Sequence, residues 1–238
     1  MPGVNVTERT LTDLVNRCLL IGMPQPELTP RYHQWLTEGL GGVILFARNI
    51  IDGGQLTELC TQLRAAARGN LIIAVDEEGG DVTRLHAHHG SPTPGNLALG
   101  AIDDVDLTRA TARGIGEQLL DAGINLNLAP SIDVNTRPEN PIIGTRSFGA
   151  DPDLVARHGA AYLAGLRDAG IAGCPKHFPG HGDTVTDSHL GLPTVETDLE
   201  PHLIPFRRAI AEGLEAIMCA HIRYPALDEQ PATLSRRI

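Results

Sequence analysis

No stretch of this chain approaches the roughly 18 consecutive apolar residues that a membrane span requires, so a spanning role is excluded. The first ten residues, Met-Pro-Gly-Val-Asn-Val-Thr-Glu-Arg-Thr, lack a basic start followed by an apolar run, so no secretory signal is visible and the expected compartment is the cytoplasm. Basic charge is short as well. Lys and Arg total 19 against 29 Asp and Glu, and a net charge of -10 argues against a nucleic-acid partner, which needs a basic surface. The four cysteines, Cys18, Cys60, Cys174 and Cys219, form no C-x-x-C pair and read as reduced, mostly buried thiols. No G-x-G-x-x-G follows the first expected strand, so dinucleotide binding has no support, and no cofactor is expected.

What is present suits a soluble α/β protein. The chain has 238 residues, 42% hydrophobic and 20% charged, enough for a single large domain, and α/β barrels commonly use this length. Residues 10–21 show near-helical apolar spacing and predict an amphipathic helix ahead of the main fold. Five short apolar runs, at 43–47, 71–75, 124–129, 171–174 and 216–220, predict strands buried on both faces. Helical patterns alternate with them at 54–68, 105–120, 153–168 and 198–212, and a shorter helix is expected over 31–38. In the first of these patterns, Leu56, Leu59, Cys60 and Leu63 fall at i, i+3, i+4, i+7, one buried face. Strict alternation predicts a parallel sheet. Polar residues follow nearly every strand instead of gathering at one crevice, which favours a (β/α)8 barrel of the TIM type over an open sheet.

The stretch 173–193 concentrates Lys176, His177, His181, Asp183, Asp187 and His189 in a segment too rich in Gly and Pro for a helix, and reads as a functional loop. In a barrel it shares one rim with Arg48-Asn49, with 76–84, with Asp133 and Arg146, and with His221. Acids, guanidinium groups, an ammonium and imidazoles together suit a polyhydroxylated ligand that needs many directional hydrogen bonds. Residues two apart in extended chain face the same way. Asp187 can therefore hold one nitrogen of His189 and leave the other to exchange protons with a substrate.

Other readings stand beside these. Asp187 can cap a turn with His189 in solvent, and His177, His181, Asp183 and His189 have the side-chain types of a metal set, although their spacing fits no recurrent zinc motif. His86, His88 and His89 read as solvated loop residues, and His221 as either packing or pocket lining.

Three runs carry a family resemblance: Ala-Val-Asp-Glu-Glu-Gly-Gly-Asp-Val-Thr-Arg (74–84), Ile-Gly-Thr-Arg-Ser-Phe-Gly-Ala-Asp-Pro (143–152), and Lys-His-Phe-Pro-Gly-His-Gly-Asp-Thr with Asp-Ser-His-Leu (176–190). From about Leu40 onward the chain resembles glycoside hydrolase family 3, and within it the β-N-acetylglucosaminidase branch of bacterial cell-wall recycling. The resemblance implies a carbohydrate substrate, an N-acetylglucosaminide. It implies that Asp76, Arg84, Arg146, Lys176 and His177 bind the terminal sugar's hydroxyl groups, that Asp187 and His189 form the acid/base dyad, and that the mechanism retains configuration. Most glycosidases use two carboxyl groups, whereas this branch replaces one with histidine. Such an uncharged base repels an anionic acceptor less, which leaves phosphorolysis as a minor alternative.

The nucleophilic aspartate that the resemblance calls for is not found. Asp13, Asp198 and Asp228 sit at helix starts or on a late loop and are poor substitutes. Five strands fall short of the eight of a barrel, and 235–238 look like a first helical turn. The expectation is one barrel domain over 1–238, incomplete at its C-terminal end, with exposed sheet edges and little or no turnover by these residues alone. A sugar-binding remnant and a metal-dependent barrel hydrolase are the rival functions. Oligomeric state is not set by any of these features.

Overall fold

The computed structural model describes residues 11–185 and 191–238. Its first elements correct the reading of 10–21. Helix α1 (Leu11–Arg17) has no buried residue, and the chain then turns extended as β1 (Leu20–Gly22), the first strand of the sheet. Four apolar residues in a row, Leu19 to Gly22 with Met23 beyond, suit a strand better than the last turn of a helix. Helical periodicity had run across the junction. Gly42 makes the pairing possible, because a Cβ there would come within 2.3 Å of the Leu20 side chain.

Beyond β1 the chain alternates as expected: α2 (Pro30–Thr37), β2 (Gly42–Leu45), α3 (Gly53–Ala66) and β3 (Ile72–Val75). Next comes α4 (Asn96–Ile102), a helix that is not among the expected ones, and then α5 (Val105–Asp121), β4 (Leu126–Asn127) and α6 (Pro152–Asp168). The order closes with β5 (Ala172–Gly173), β6 (Lys176–Phe178), α7 (Glu200–Ala211) and β7 (Met218–Cys219). Strands β1 to β5 pair in sequence order, all parallel, and β6 pairs β7 in parallel. The parallel bridge Ser131 to Lys176 carries the line of β4 and β5 into β6. The architecture is an α/β barrel wall whose β1 and β7 edges do not meet among the described residues.

Two further expectations need correction. Lys176 to Phe178 is a strand rather than part of a loop. Pro175 and Pro179 flank it without breaking it, since neither occupies a paired position. Residues 223–231 form an antiparallel hairpin, β8 (Arg223–Tyr224) with β9 (Asp228–Pro231). No helical turn is assigned over 235–238, although Ser235 Oγ accepts from the Arg237 and Ile238 N–H groups as a helix cap does.

The core lies between the sheet and its outer helices. Leu56, Leu59, Cys60 and Leu63 of α3 are all buried, as their spacing required. In α5 the buried set is Thr108, Ala112, Ile115, Gly116 and Leu119, while Leu120 is exposed. Of the four thiols only Cys60 and Cys174 are buried. Asparagines in β4 and just before it do backbone work: Asn125 bonds Ile73 N and Leu71 O, and Asn127 bonds both the N–H and the C=O of Glu77. They fix how the chain leaves β3, which positions the site. No described helix is long and apolar enough to cross a membrane.

Candidate active site

The carboxyl ends of the strands open into one cavity of about 450 Å³. Phe46 follows β2, Asp76, Glu78 and Arg84 follow β3, and Lys176 and His177 come from β6. Arg146 stands on the loop after β4, and Cys219 of β7 and His221 just beyond it complete the set. Asp76, Arg84, Arg146, Lys176, His177 and His221, dispersed over 146 positions of sequence, are thus gathered around one space.

A buried charge network forms its floor. The Lys176 ammonium, 1% exposed as a residue, lies 2.7 Å from Asp76 Oδ1 and 2.6 Å from Glu78 Oε1. Arg146 grips the same Glu78 through Nε and Nη2, at 3.0 and 2.8 Å, and donates Nη1 to Ile142 O. Burial alone would push the Glu78 carboxyl up, but Lys176 and Arg146 outweigh it and hold it at about 2. Glu77 turns the other way and accepts from the Arg84 and Leu85 N–H groups. Tyr162 of α6 donates its hydroxyl to the Glu77 and Glu78 carbonyls. The acid run after β3 is therefore fully partnered, which is how a strand end tolerates it.

Arg84 is the less committed cation. Its guanidinium stays 3.9 Å from Asp76, and its buried Nε has no hydrogen-bond partner. A donor left this way inside a cavity is suited to a ligand oxygen.

Asp133 organises the histidine side. It is fully buried and accepts from the Ser131 hydroxyl at 2.9 Å and from the His177 and His181 backbone N–H groups, and its Oδ2 lies 2.7 Å from His177 Nδ1. Burial would raise this carboxyl, but His177 and His181 hold it well below the usual range. His181 Nδ1 meets Thr184 Oγ1 at 2.8 Å, and burial lowers the pKa of that imidazole. Asp183 accepts from Arg137 Nε at 2.8 Å and from the hydroxyls of Thr136 and Thr197. The members of the suggested metal set that are described thus have other partners, and among the described residues no group of three or more His, Cys, Asp or Glu is placed to hold an ion.

His221 is exposed, lies at the cavity and faces Thr233 Oγ1 at 3.2 Å. His86 pairs with Gln118 while His88 and His89 are exposed, away from the cavity. Asp187 and His189 lie outside the described residues. Glu78 and Asp133 were the residues that sequence reasoning underused. Both were visible as acids beside buried strands, where an unpartnered carboxylate is too costly to stand alone.

The segment before residue 186 is held tightly. Gly182 lies so close to Val134 that an added Cβ would come within 1.8 Å of the Val134 carbonyl oxygen. Gly182→Ala is expected to destabilise the fold by about 1–3 kcal/mol through overpacking. A denaturant midpoint equal to that of the parent would contradict this close approach.

The comparisons with known proteins bear on the same residues. The model of the glycosyl hydrolase family 3 N-terminal domain matches residues 21–238. The chain belongs to glycosyl hydrolase family 3. Among curated relatives, β-hexosaminidase A of Pseudoalteromonas piscicida is 40% identical, over 89% of this chain and 39% of its own length. The β-hexosaminidase of Thiobacillus denitrificans is 38% identical, over 92% of this chain and 63% of its own. The family 3 β-N-acetylglucosaminidase of Paenibacillus sp. FPU-7 superposes with a TM-score of 0.91 at 43% identity, over 95% of this chain and 45% of that one. NagZ from Neisseria gonorrhoeae, solved with N-trifluoroacetyl-D-glucosamine, superposes with a TM-score of 0.82 at 36% identity, over 90% of this chain and 64% of that one. The chain therefore spans between about two fifths and two thirds of these relatives' lengths.

Proposed function

We propose that this family 3 chain supplies the sugar-binding and proton-transfer half of a retaining β-N-acetylglucosaminidase. The observation that carries the reading is the convergence of Asp76, Arg84, Arg146, Lys176 and His177 on one cavity at the carboxyl ends of parallel strands. A mostly apolar wall with a few convergent polar groups fits one pyranose ring and its hydroxyl groups. Arg84 and Lys176 donate, Asp76 accepts, and His177 presents a ring nitrogen. Asp187 orients His189, which protonates the leaving oxygen and then takes a proton from water. Glycosides derived from cell-wall fragments and a cytoplasmic setting accompany this reading, with residues 1–238 as one barrel unit.

A second reading, sugar binding without turnover, is favoured by a specific observation. The cavity carboxylates Asp76 and Glu78 are both ion-paired to Lys176, so neither is available as a nucleophile. Asp13 instead ion-pairs with Arg68, and Asp198 and Asp228 accept from nearby N–H groups in local turns.

Calorimetry with N-acetylglucosamine and a chromogenic N-acetylglucosaminide separate the two. Binding with turnover supports the enzyme, and binding alone supports the second reading. If neither occurs, the cavity is not a sugar site.

A further inference from the structure

The network around Lys176 and the dyad region have roles in the proposed reaction, but the carboxylate of Asp133 has none. Among the described residues it is one of the few charged groups with no exposure at all, and it does not line the cavity. Burying a carboxylate is costly, and Asp133 offsets that cost entirely with donors from Ser131, His177 and His181. Its contact with the His177 ring, at 2.7 Å, is the one that points at the cavity.

We infer that Asp133 is a positioning residue that fixes which nitrogen of His177 carries the proton, and so sets the hydrogen-bond polarity His177 presents to a bound sugar. An ionised carboxylate only accepts, so Nδ1 must be the protonated nitrogen, and Nε2 is left to the ligand. Turning the ring over would take its N–H away from Asp133 Oδ2. The backbone N–H of the same His177 donates to the same carboxylate, which locks ring and main chain to one anchor. This is the logic by which a buried acid sets the tautomer of a histidine that touches substrate. The inference rests on the reading of the cavity as a sugar site, but its tautomer half stands apart from it.

Asp133→Ala would leave several buried donors unpaired and invites misfolding, so Asp133→Asn is the informative variant. The two backbone N–H groups keep the amide oxygen on the Oδ1 side. The amide nitrogen then falls where Oδ2 was, facing His177 Nδ1 and the Ser131 hydroxyl, which can accept from it. Ser131 Oγ turns from donor to acceptor, and Nδ1 must now accept as well, so the proton moves to Nε2.

The test reads imidazole 15N chemical shifts of His177, assigned by comparison with His177→Gln, alongside calorimetric titration with N-acetylglucosamine. The parent should show the Nδ1–H form and D133N the Nε2–H form, with sugar affinity about tenfold weaker in D133N and the thermal midpoint little changed. His177 15N shifts identical in the two proteins would overturn the inference. So would an inverted tautomer with unaltered affinity, because His177 would then not transmit it to the ligand. If the parent binds no N-acetylglucosamine, the sugar-site reading falls and takes the ligand half of the inference with it, while the 15N shifts still decide whether Asp133 sets the tautomer.

Discussion

In a longer parent protein that turns substrate over, replacing His189 with alanine is expected to lower kcat/KM on a methylumbelliferyl N-acetylglucosaminide by a factor of about 100 or more, the usual contribution of a positioned general acid and base. The bond between the sugar and the leaving oxygen breaks faster when that oxygen is protonated as it departs. The loss should therefore shrink for a dinitrophenyl glycoside, whose leaving group is stable as an anion. On the proposed reading, in which Asp187 orients the imidazole, Asp187→Ala should follow the same pattern with a smaller loss, since the imidazole itself remains. Affinity for N-acetylglucosamine should hold in both variants. An H189A protein as fast as its parent on both substrates would remove His189 from the mechanism.

Lys176→Met is expected to have the largest effect on stability, about 3–5 kcal/mol, as is typical when one member of a buried ion pair is removed. Lys176 serves two carboxylates at once, and Asp76 and Glu78 would face each other across an apolar thioether. Against a total stability of about 5–15 kcal/mol, that loss leaves a much larger unfolded fraction.

The pH dependence gives the sign. Glu78 has its folded pKa lowered from 4.5 to about 2, so its ionised form adds stability that is complete above 4.5 and is lost as pH falls towards 2. Without Lys176, burial is less opposed and the carboxyl moves up. The gap between parent and K176M should be widest near neutrality and narrow on acidification through that window. Urea denaturation at pH 7 and pH 3 measures it, and a constant gap would show that Glu78 does not feel the ammonium. Lys176→Met combined with Glu78→Gln should cost less than the sum of the single changes, because the stranded charge is removed as well.

Most of this architecture was legible in the sequence because parallel barrel strands are short, apolar and bounded by helical periodicity. The buried face of α3 and the placement of Arg146 and Lys176 beside one cavity follow from that pattern and from strand order. What escaped notice had physical causes. At β1 the apolar spacing of α1 runs on into the strand, so periodicity alone could not find the junction between Arg17 and Leu20. At β6 two prolines disguised a strand, although they stand outside its paired positions. Helix α4 begins at Asn96 after Gly95, with no side-chain cap to announce it. Asp133 read as one polar loop residue among several. Its importance depends on burial and on the approach of 177 and 181, which no local pattern encodes.

The floor of the cavity has one more consequence, for how such a site can change over generations. Glu78 is held by both Lys176 and Arg146, and Lys176 is shared with Asp76. A single replacement at any of these positions strands a buried charge, so each intermediate step is costly even when the final combination is sound. Drift at Glu78, Arg146 and Lys176 should therefore proceed by paired exchanges or hardly at all, whereas His221, exposed at the rim of the same cavity, is free to vary.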